Sequence, residues 1–418
     1  MSTLFTPVDW ASTGNIYEVN TRQYTKEGTF NAFRTHLPRL RDMGVDILWF
    51  MPITPISKAQ RQGSLGSYYA CSSYTEINPE FGTKEDFNQL VKDAQAQGFK
   101  VIIDWVANHT GWDHHWTKEH PEWYMRDTQG SFTEKNGWKD VIDLDYSDAA
   151  MQQEMINCML YWVKEFNIDG FRCDMAHLMP LDFWKKARTQ SEQGKKLFWL
   201  GECELPEYNQ VFDVTYAWQW MHETENVAKG TATLNNVRNV LHSYSQYPAG
   251  ILKMLFTSNH DENSWNGTEY EKYGDAAKAW AVFTCTWKGM PLIYSGQEEP
   301  NTKRLKFFDK DEIVHNTPPV LHSFYKALLQ LHGSKAVASG DTFILPAPQE
   351  NVMAFLRFKE EQVVLVLLNI SNQERVKVAV DSALLKGDFK NIFSGLKYQF
   401  NVKEVFELEP YDYLVYTK

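Results

Sequence analysis

Two short runs of this chain place acidic residues where apolar ones would be expected. Glu202 closes the stretch Phe198-Trp199-Leu200-Gly201-Glu202, and a helix-length interval upstream lies Gly170-Phe171-Arg172-Cys173-Asp174. Each run reads as a strand with a carboxyl group at its end. Arg172 and Asp174, two residues apart, share one side of their strand. A guanidinium buried there must be paired, and it should hold Asp174 below its ordinary pKa. Glu202, with aromatic neighbours, should shift upward instead. One carboxylate that attacks a sugar carbon and one carboxyl that protonates the leaving oxygen are the two parts of retaining glycoside hydrolysis. An ion pair that serves only the fold would use the same residues.

Two other runs change abruptly from apolar to polar. Val101-Ile102-Ile103-Asp104-Trp105-Val106-Ala107-Asn108-His109-Thr110 starts as a buried strand, and Phe256-Thr257-Ser258-Asn259-His260-Asp261-Glu262 repeats the pattern. An imidazole beside a carboxylate can hold sugar hydroxyls by charge-assisted hydrogen bonds, or form one arm of a metal site. Asp104 capping local backbone and His109 packed in the core is the structural alternative. Other chemistries lack their parts: the chain has no G-x-S-x-G elbow, no phosphate loop and no H-E-x-x-H. His114, His115 and His120 read as polar loop surface.

Positioning these residues needs a scaffold of short strands and amphipathic helices. Apolar runs at 15–19, 46–50, 100–104, 169–174, 197–201, 212–216, 253–257 and 290–294 alternate with helical patterns such as 29–43, 83–97, 148–166 and 181–189. Eight such strands predict a closed (β/α)₈ barrel, an α/β fold. Phe30, Phe33, Leu37 and Leu40 recur at helical spacing and Gly44 ends that helix. The connections 50–83 and 111–145 exceed ordinary loops and follow strand ends, where a barrel builds its site. Beyond residue 345 the period falls to two, with strands expected at 353–358, 362–368, 374–380 and 411–416. The expected division is a barrel over 1–110 and 146–345, a small inserted domain over 111–145 and an antiparallel sheet domain over 346–418.

Composition excludes several classes of function. The 418 residues carry 53 acidic against 42 basic side chains, a formal charge of −11, and show no dense basic cluster, which argues against a nucleic-acid partner. Of the 15 Trp, 20 Tyr and 25 Phe, most are expected in the core, and the rest offer platforms for sugar rings. Five cysteines without a CxxC pair favour a reducing compartment and no structural zinc. No run is long and apolar enough for a membrane, and Met1-Ser2-Thr3-Leu4-Phe5-Thr6 shows no signal peptide, so a cytoplasmic location is expected.

Taken in order, Asp104-Trp105-Val106-Ala107-Asn108-His109, Gly170-Phe171-Arg172-Cys173-Asp174, Gly201-Glu202 and Asn259-His260-Asp261 resemble the four signature regions of the α-amylase superfamily of retaining glycoside hydrolases. Looser likenesses lie at Gly66-Ser67-Tyr68-Tyr69, at Ile77-Asn78-Pro79-Glu80-Phe81-Gly82-Thr83 and at 289–298. The resemblance implies a barrel with a small domain inserted after the third strand and a C-terminal β-sandwich. It implies Asp174 as nucleophile, Glu202 as general acid/base and Asp261 as the carboxylate that holds the ring hydroxyls. Arg172, His109, His260 and Tyr69 are implied around the scissile sugar, with Asp104 as support.

The same resemblance implies cleavage of α-1,4 links in starch, glycogen or malto-oligosaccharides, with no organic cofactor. A 4-α-glucanotransferase or an exo-acting α-glucosidase would use the same residues, and a glycan-binding protein without activity would be expected to lack one of the carboxylates. Asn108 and Asp143 match two ligands of the family's structural calcium. The chain departs from the pattern at Ser73, where an Asp is usual before Tyr74, and at His177, which stands one place early and could instead line a positive subsite.

Overall fold

The computed structural model describes residues 5–247, 250–347, 350–372 and 375–418. The first four residues, read above for a leader, and Glu374, expected to open a strand, lie outside the described residues. In chain order the first ten strands are β1 (Ile16–Val19), β2 (Ile47–Phe50), β3 (Lys100–Trp105), β4 (His109–Gly111), β5 (Val141–Asp143), β6 (Gly170–Cys173), β7 (Phe198–Gly201), β8 (Val214–Tyr216), β9 (Leu252–Leu255) and β10 (Met290–Tyr294). Eight of them form a closed parallel barrel in the order β1-β10-β9-β8-β7-β6-β3-β2, and β1 pairs with both β2 and β10. β4 and β5 form an antiparallel ribbon, with His109 opposite Asp143, that frames the insertion between β3 and β6.

Barrel strands are covered on both faces, so they read as apolar runs rather than as alternation. Ile-Leu-Trp-Phe of β2 and Phe-Trp-Leu-Gly of β7 are buried throughout. All eight predicted strands are present, some with shifted ends: 212–216 shortens to β8, and 253–257 moves back to β9. The helix over Lys84–Ala96 opens with a capping box between Thr83 and Asp86 and buries Phe87, Leu90, Val91 and Ala94 along one face. The expected helix over 29–43 is instead two, Phe30–Arg34 and Leu37–Met43. Pro38, which has no N–H to donate to a preceding turn, sits in the first turn of the second helix. The apolar face is kept across the break, and Gly44 ends it at φ 99°.

Eight more strands follow: β11 (Asp341–Ile344), β12 (Val352–Lys359), β13 (Gln362–Asn369), β14 (Val376–Asp381), β15 (Gly387–Asn391), β16 (Lys397–Phe400), β17 (Lys403–Leu408) and β18 (Tyr413–Thr417). Six form one antiparallel sheet, β11-β12-β13-β18-β15-β16, while β14 pairs with β17. The two sheets share an apolar core. Alternation gives β12 and β13 two roles: Ala354, Leu356, Val363 and Leu365 face that core, whereas Met353, Phe355, Val364 and Val366 pack against the barrel. Trp287 meets Phe355 edge-on, with ring centroids 4.9 Å apart. Among the described residues no helix is long and apolar enough to cross a membrane.

Close approach of β6 to β7 places the two catalytic candidates side by side. A Cβ at Gly170 would stand 2.0 Å from the carbonyl oxygen of Phe198, a backbone atom that cannot turn away. Gly170→Ala should therefore cost about 1–3 kcal/mol or more of stability, read as a lower denaturant midpoint; an unchanged midpoint would contradict this packing.

Candidate active site

The residues singled out by sequence gather where the barrel strands end. Asp104 on β3 stands in register with Arg172 on β6. Asp174 follows β6, its N–H bonded to the Trp105 carbonyl at 3.0 Å, and Glu202 follows β7, its N–H bonded to the Cys173 carbonyl at 3.0 Å. A cavity of about 240 Å³ opens above them, with Asp174, Glu202, Asp261, His109, His260 and Tyr69 in its lining. Asp104 and Arg172 lie beneath it, fully buried side chains that do not reach the cavity.

Arg172 is the only cation in direct contact with three carboxylates among the described residues. Its Nη1 donates to Asp104 Oδ1 at 3.0 Å and to Asp174 Oδ1 at 2.8 Å, and its Nη2 donates to Glu202 Oε2 at 2.7 Å. The Tyr216 hydroxyl accepts from Nε at 3.0 Å. Trp49 Nε1 and the Tyr69 hydroxyl donate to Asp104 Oδ2 at 3.2 and 3.0 Å, so Asp104 is held from both sides. The Met175 N–H adds a second donor to Glu202 Oε2 at 2.9 Å.

Burial dominates the acidity of this group. It pushes Glu202 up to about 6, as its apolar setting suggested. It also pushes Asp174 up to about 6 against the opposing pull of Arg172, which reverses the expectation that Arg172 would hold Asp174 low. One guanidinium shared among Asp104, Asp174 and Glu202 cannot compensate three charges out of water. A proton retained within the cluster is the electrostatic consequence.

Across the cavity, His260 ties three groups together. Its Nδ1 meets Glu18 Oε1 at 2.5 Å, and its Nε2 meets the Tyr69 hydroxyl at 2.8 Å and Asp261 Oδ2 at 3.2 Å. Burial alone would lower the imidazole, but Asp261 and Glu18 raise it well above its usual value, so it is a cation. Burial would raise Asp261, yet His260 draws it below the ordinary carboxylate range. The Asp261 side chain is 38 % exposed, against 9 % for Asp174, which leaves it open to a ligand. Tyr69 stacks on His260 with centroids 5.3 Å apart.

His109 differs in charge. Burial lowers it to about 4, so the ring is neutral. The Asn108 amide donates to His109 Nδ1 at 3.1 Å, which places the ring proton on Nε2. Asn108 also donates to Asp143 Oδ1 at 3.2 Å, and the Lys135 N–H takes Asp143 Oδ2 at 3.0 Å. Asn108 and Asp143, the two residues that the resemblance matched to a calcium site, hydrogen-bond each other here, and among the described residues no group of three or more His, Cys, Asp or Glu gathers around them. Tyr74, next to the variant Ser73, donates to the carbonyl oxygens of Val106 and His109 at 2.8 and 3.1 Å.

His177 is exposed on the turn Ala176–Leu178 and is not part of the cavity lining. Conversely, sequence reading passed over Glu18, Gln62, Trp138, Asp140, Trp265, Phe307 and Phe308. Glu18 carried the signal that revealed Glu202, a lone acid in an apolar strand, here Ile-Tyr-Glu-Val. Trp265 stands on the short helical turn Glu262–Asn266, and the others line the cavity from long loops, where no periodicity marks a residue's direction.

Arg172→Met tests the hub without a loss of volume. Removing the cation leaves buried carboxylates uncompensated and should cost about 3–5 kcal/mol at pH 7. Without Arg172 their folded pKa values lie further above the unfolded ones, so the deficit should shrink as acid neutralises them. Urea unfolding at pH 7 and pH 5 reads both effects, and a deficit that grows in acid would contradict the assignment.

The family model for the alpha amylase catalytic domain matches residues 12–317, and that for the maltogenic amylase C-terminal domain matches residues 342–415. Among solved structures, a maltogenic alpha-amylase from Thermotoga neapolitana is 31% identical, with a TM-score of 0.89 over 97% of this chain and 98% of that one. An alpha-amylase from Lactobacillus plantarum is 29% identical, with a TM-score of 0.88 over 97% and 99%. An alpha-amylase of Haloarcula japonica is 24% identical over 87% of this chain, which spans 56% of that longer relative. With a catalytic-domain match over most of its length and the same architecture throughout, the chain belongs to the α-amylase family.

Proposed function

We propose that the protein is a retaining glycoside hydrolase that cleaves α-1,4-glucosidic bonds in malto-oligosaccharides or in starch- and glycogen-type glucans. The observation that carries this reading is the single Arg172 fork holding both Asp174 and Glu202 at the cavity floor. One planar group touching both carboxyls suits the short separation, about 5–5.5 Å, that a covalent glycosyl intermediate requires, rather than the wider gap that admits a water.

Asp174 attacks the anomeric carbon while Glu202 delivers a proton to the departing glycosidic oxygen. Both donors to Glu202 address Oε2, which leaves Oε1 to carry that proton. As the first product leaves, Glu202 becomes a base and draws a proton from water, which attacks the glycosyl–Asp174 ester and restores the α configuration. Asp261 and His260 hold ring hydroxyls, Asp261 as acceptor, and the His109 Nε2–H donates to another. Positive charge that develops on the ring is favoured by Asp261, which stays ionised.

The shared rise of Asp174 and Glu202 to about 6 sets the pH dependence. Below the lower ionisation of the pair the nucleophile is protonated, and above the upper one the acid has lost its proton, so kcat/KM on maltoheptaose should be bell-shaped with its maximum near pH 6. Glu202→Gln should lower kcat by about 10²–10⁴-fold and remove the alkaline limb; an unchanged limb would reassign the acid.

The function itself is read by ¹H NMR of a maltoheptaose digest. Products that appear first as α-anomers support the reading, and first-formed β-anomers overturn it. Products longer than the substrate would mark transfer to sugar, the competing fate of the same intermediate.

A further inference from the structure

The loop after β2 is fastened to its neighbours on both sides. Toward the insertion, Gln62 Nε2 donates to Asp140 Oδ1 at 3.0 Å. Toward the loop after β10, the Ser64 N–H and hydroxyl donate to Asp309 Oδ1 at 2.8 and 2.6 Å, and the N–H groups of Leu65 and Gly66 reach the Phe308 carbonyl at 3.0 and 3.2 Å. Gly63 permits this contact: at φ 61° it lies so near that a Cβ would fall 2.5 Å from Phe308 Cβ. Three loops thus form one continuous wall along the cavity.

Barrel order tells which end of a substrate this wall meets. β2 and β10 flank β1, and β1 lies four strands from β7 in either direction around the barrel. Two of the wall's three loops, those after β2 and β10, therefore stand on the far side of the barrel from Glu202, which follows β7, and the insertion after β3 brings Asp140 in to meet them. A general acid stands on the leaving-group side of the scissile bond, so the wall stands on the glycone side. The cavity of about 240 Å³ has room for a short sugar segment.

Asp140 gives the wall a chemical role. It is 5 % exposed and lines the cavity, yet its Oδ2 has no hydrogen-bond partner among the described residues. An unmet buried carboxylate oxygen is costly; a sugar hydroxyl would satisfy it. The aromatic rings of Trp138, Phe307 and Phe308 beside it offer faces for a pyranose.

We propose that the wall built on Gln62–Asp140 closes the glycone end of the site, so that the enzyme works from non-reducing chain ends, with Asp140 accepting a hydroxyl hydrogen of the terminal glucan segment. This rests on the glycosidase reading above. It assigns Asp140 to substrate binding and Gln62 to positioning Asp140.

The test compares 4-nitrophenyl maltoheptaoside with the same compound blocked at its non-reducing end by a 4,6-ethylidene group. The wild-type enzyme should cleave the free substrate at least about tenfold faster, the value of one to two hydrogen bonds lost. Asp140→Asn, which keeps shape and loses charge, should raise KM for the free substrate about tenfold with kcat within a few-fold and an unchanged melting temperature. Gln62→Ala should bring the free-to-blocked ratio toward one as the wall opens. Equal cleavage of both substrates by the wild type, or an unchanged KM in Asp140→Asn, would overturn the proposal and leave the glycosidase reading standing. An enzyme inert on both substrates would overturn the two together.

Discussion

One buried guanidinium governs this site, because the groups that could do chemistry are its counter-ions. Arg172 holds Asp104, Asp174 and Glu202 at hydrogen-bonding distance, and those acids cannot all ionise around a single positive charge in a space shielded from water. The geometry of the barrel creates that shortage of positive charge. β3, β6 and β7 are adjacent strands that end together, so residues from three separate stretches of sequence converge on one fork. Gly170 lets two of those strands approach closely. The fold thus places the carboxyls and, through burial, also sets their proton affinity.

The opposite side of the cavity is balanced in another way. His260 sits between Glu18 and Asp261, and there one cation serves two acids, one buried on β1 and one exposed to the cavity. Asp261 is consequently held ionised while Asp174 and Glu202 compete for a proton. A neutral His109, oriented by Asn108, completes a set in which an anion, a cation and a neutral donor address different faces of a bound ring. Such division of charge among similar residues is how one cavity can both bind a polyhydroxyl ligand and transfer a proton.

The strand-end residues were legible in the sequence because a charge inside an apolar run is costly unless the structure uses it. Asp104, Arg172, Asp174 and Glu202 all announced themselves in that way, and the eight strand positions followed from apolar runs. Glu18 bore the same mark inside a strand that was read, yet it was passed over because it lies within the strand rather than at its end. Loop residues were not legible: Gln62, Asp140 and Phe308 meet through contacts between stretches far apart in sequence, and no local pattern records such a meeting. For the same reason the small strands β11, β15, β16 and β17 escaped notice, being short, charged and half-exposed. The direction of Asp174's acidity was misjudged because an adjacent cation is visible in sequence, whereas the degree of burial is not. Asn108 and Asp143, matched to a metal by resemblance, hydrogen-bond each other, and Asn108 also holds His109.

The central claim is that Asp174 becomes covalently bonded to sugar while Glu202 moves the proton. Glu202→Gln offered α-maltosyl fluoride tests it most directly, because fluoride departs without an acid and the variant then lacks the base needed to release the intermediate. Intact and peptide-level mass spectrometry should find a maltosyl adduct on the peptide that contains Asp174. An adduct on the peptide carrying Asp261 or Asp104, or turnover with β-maltose as the first product, would contradict the account.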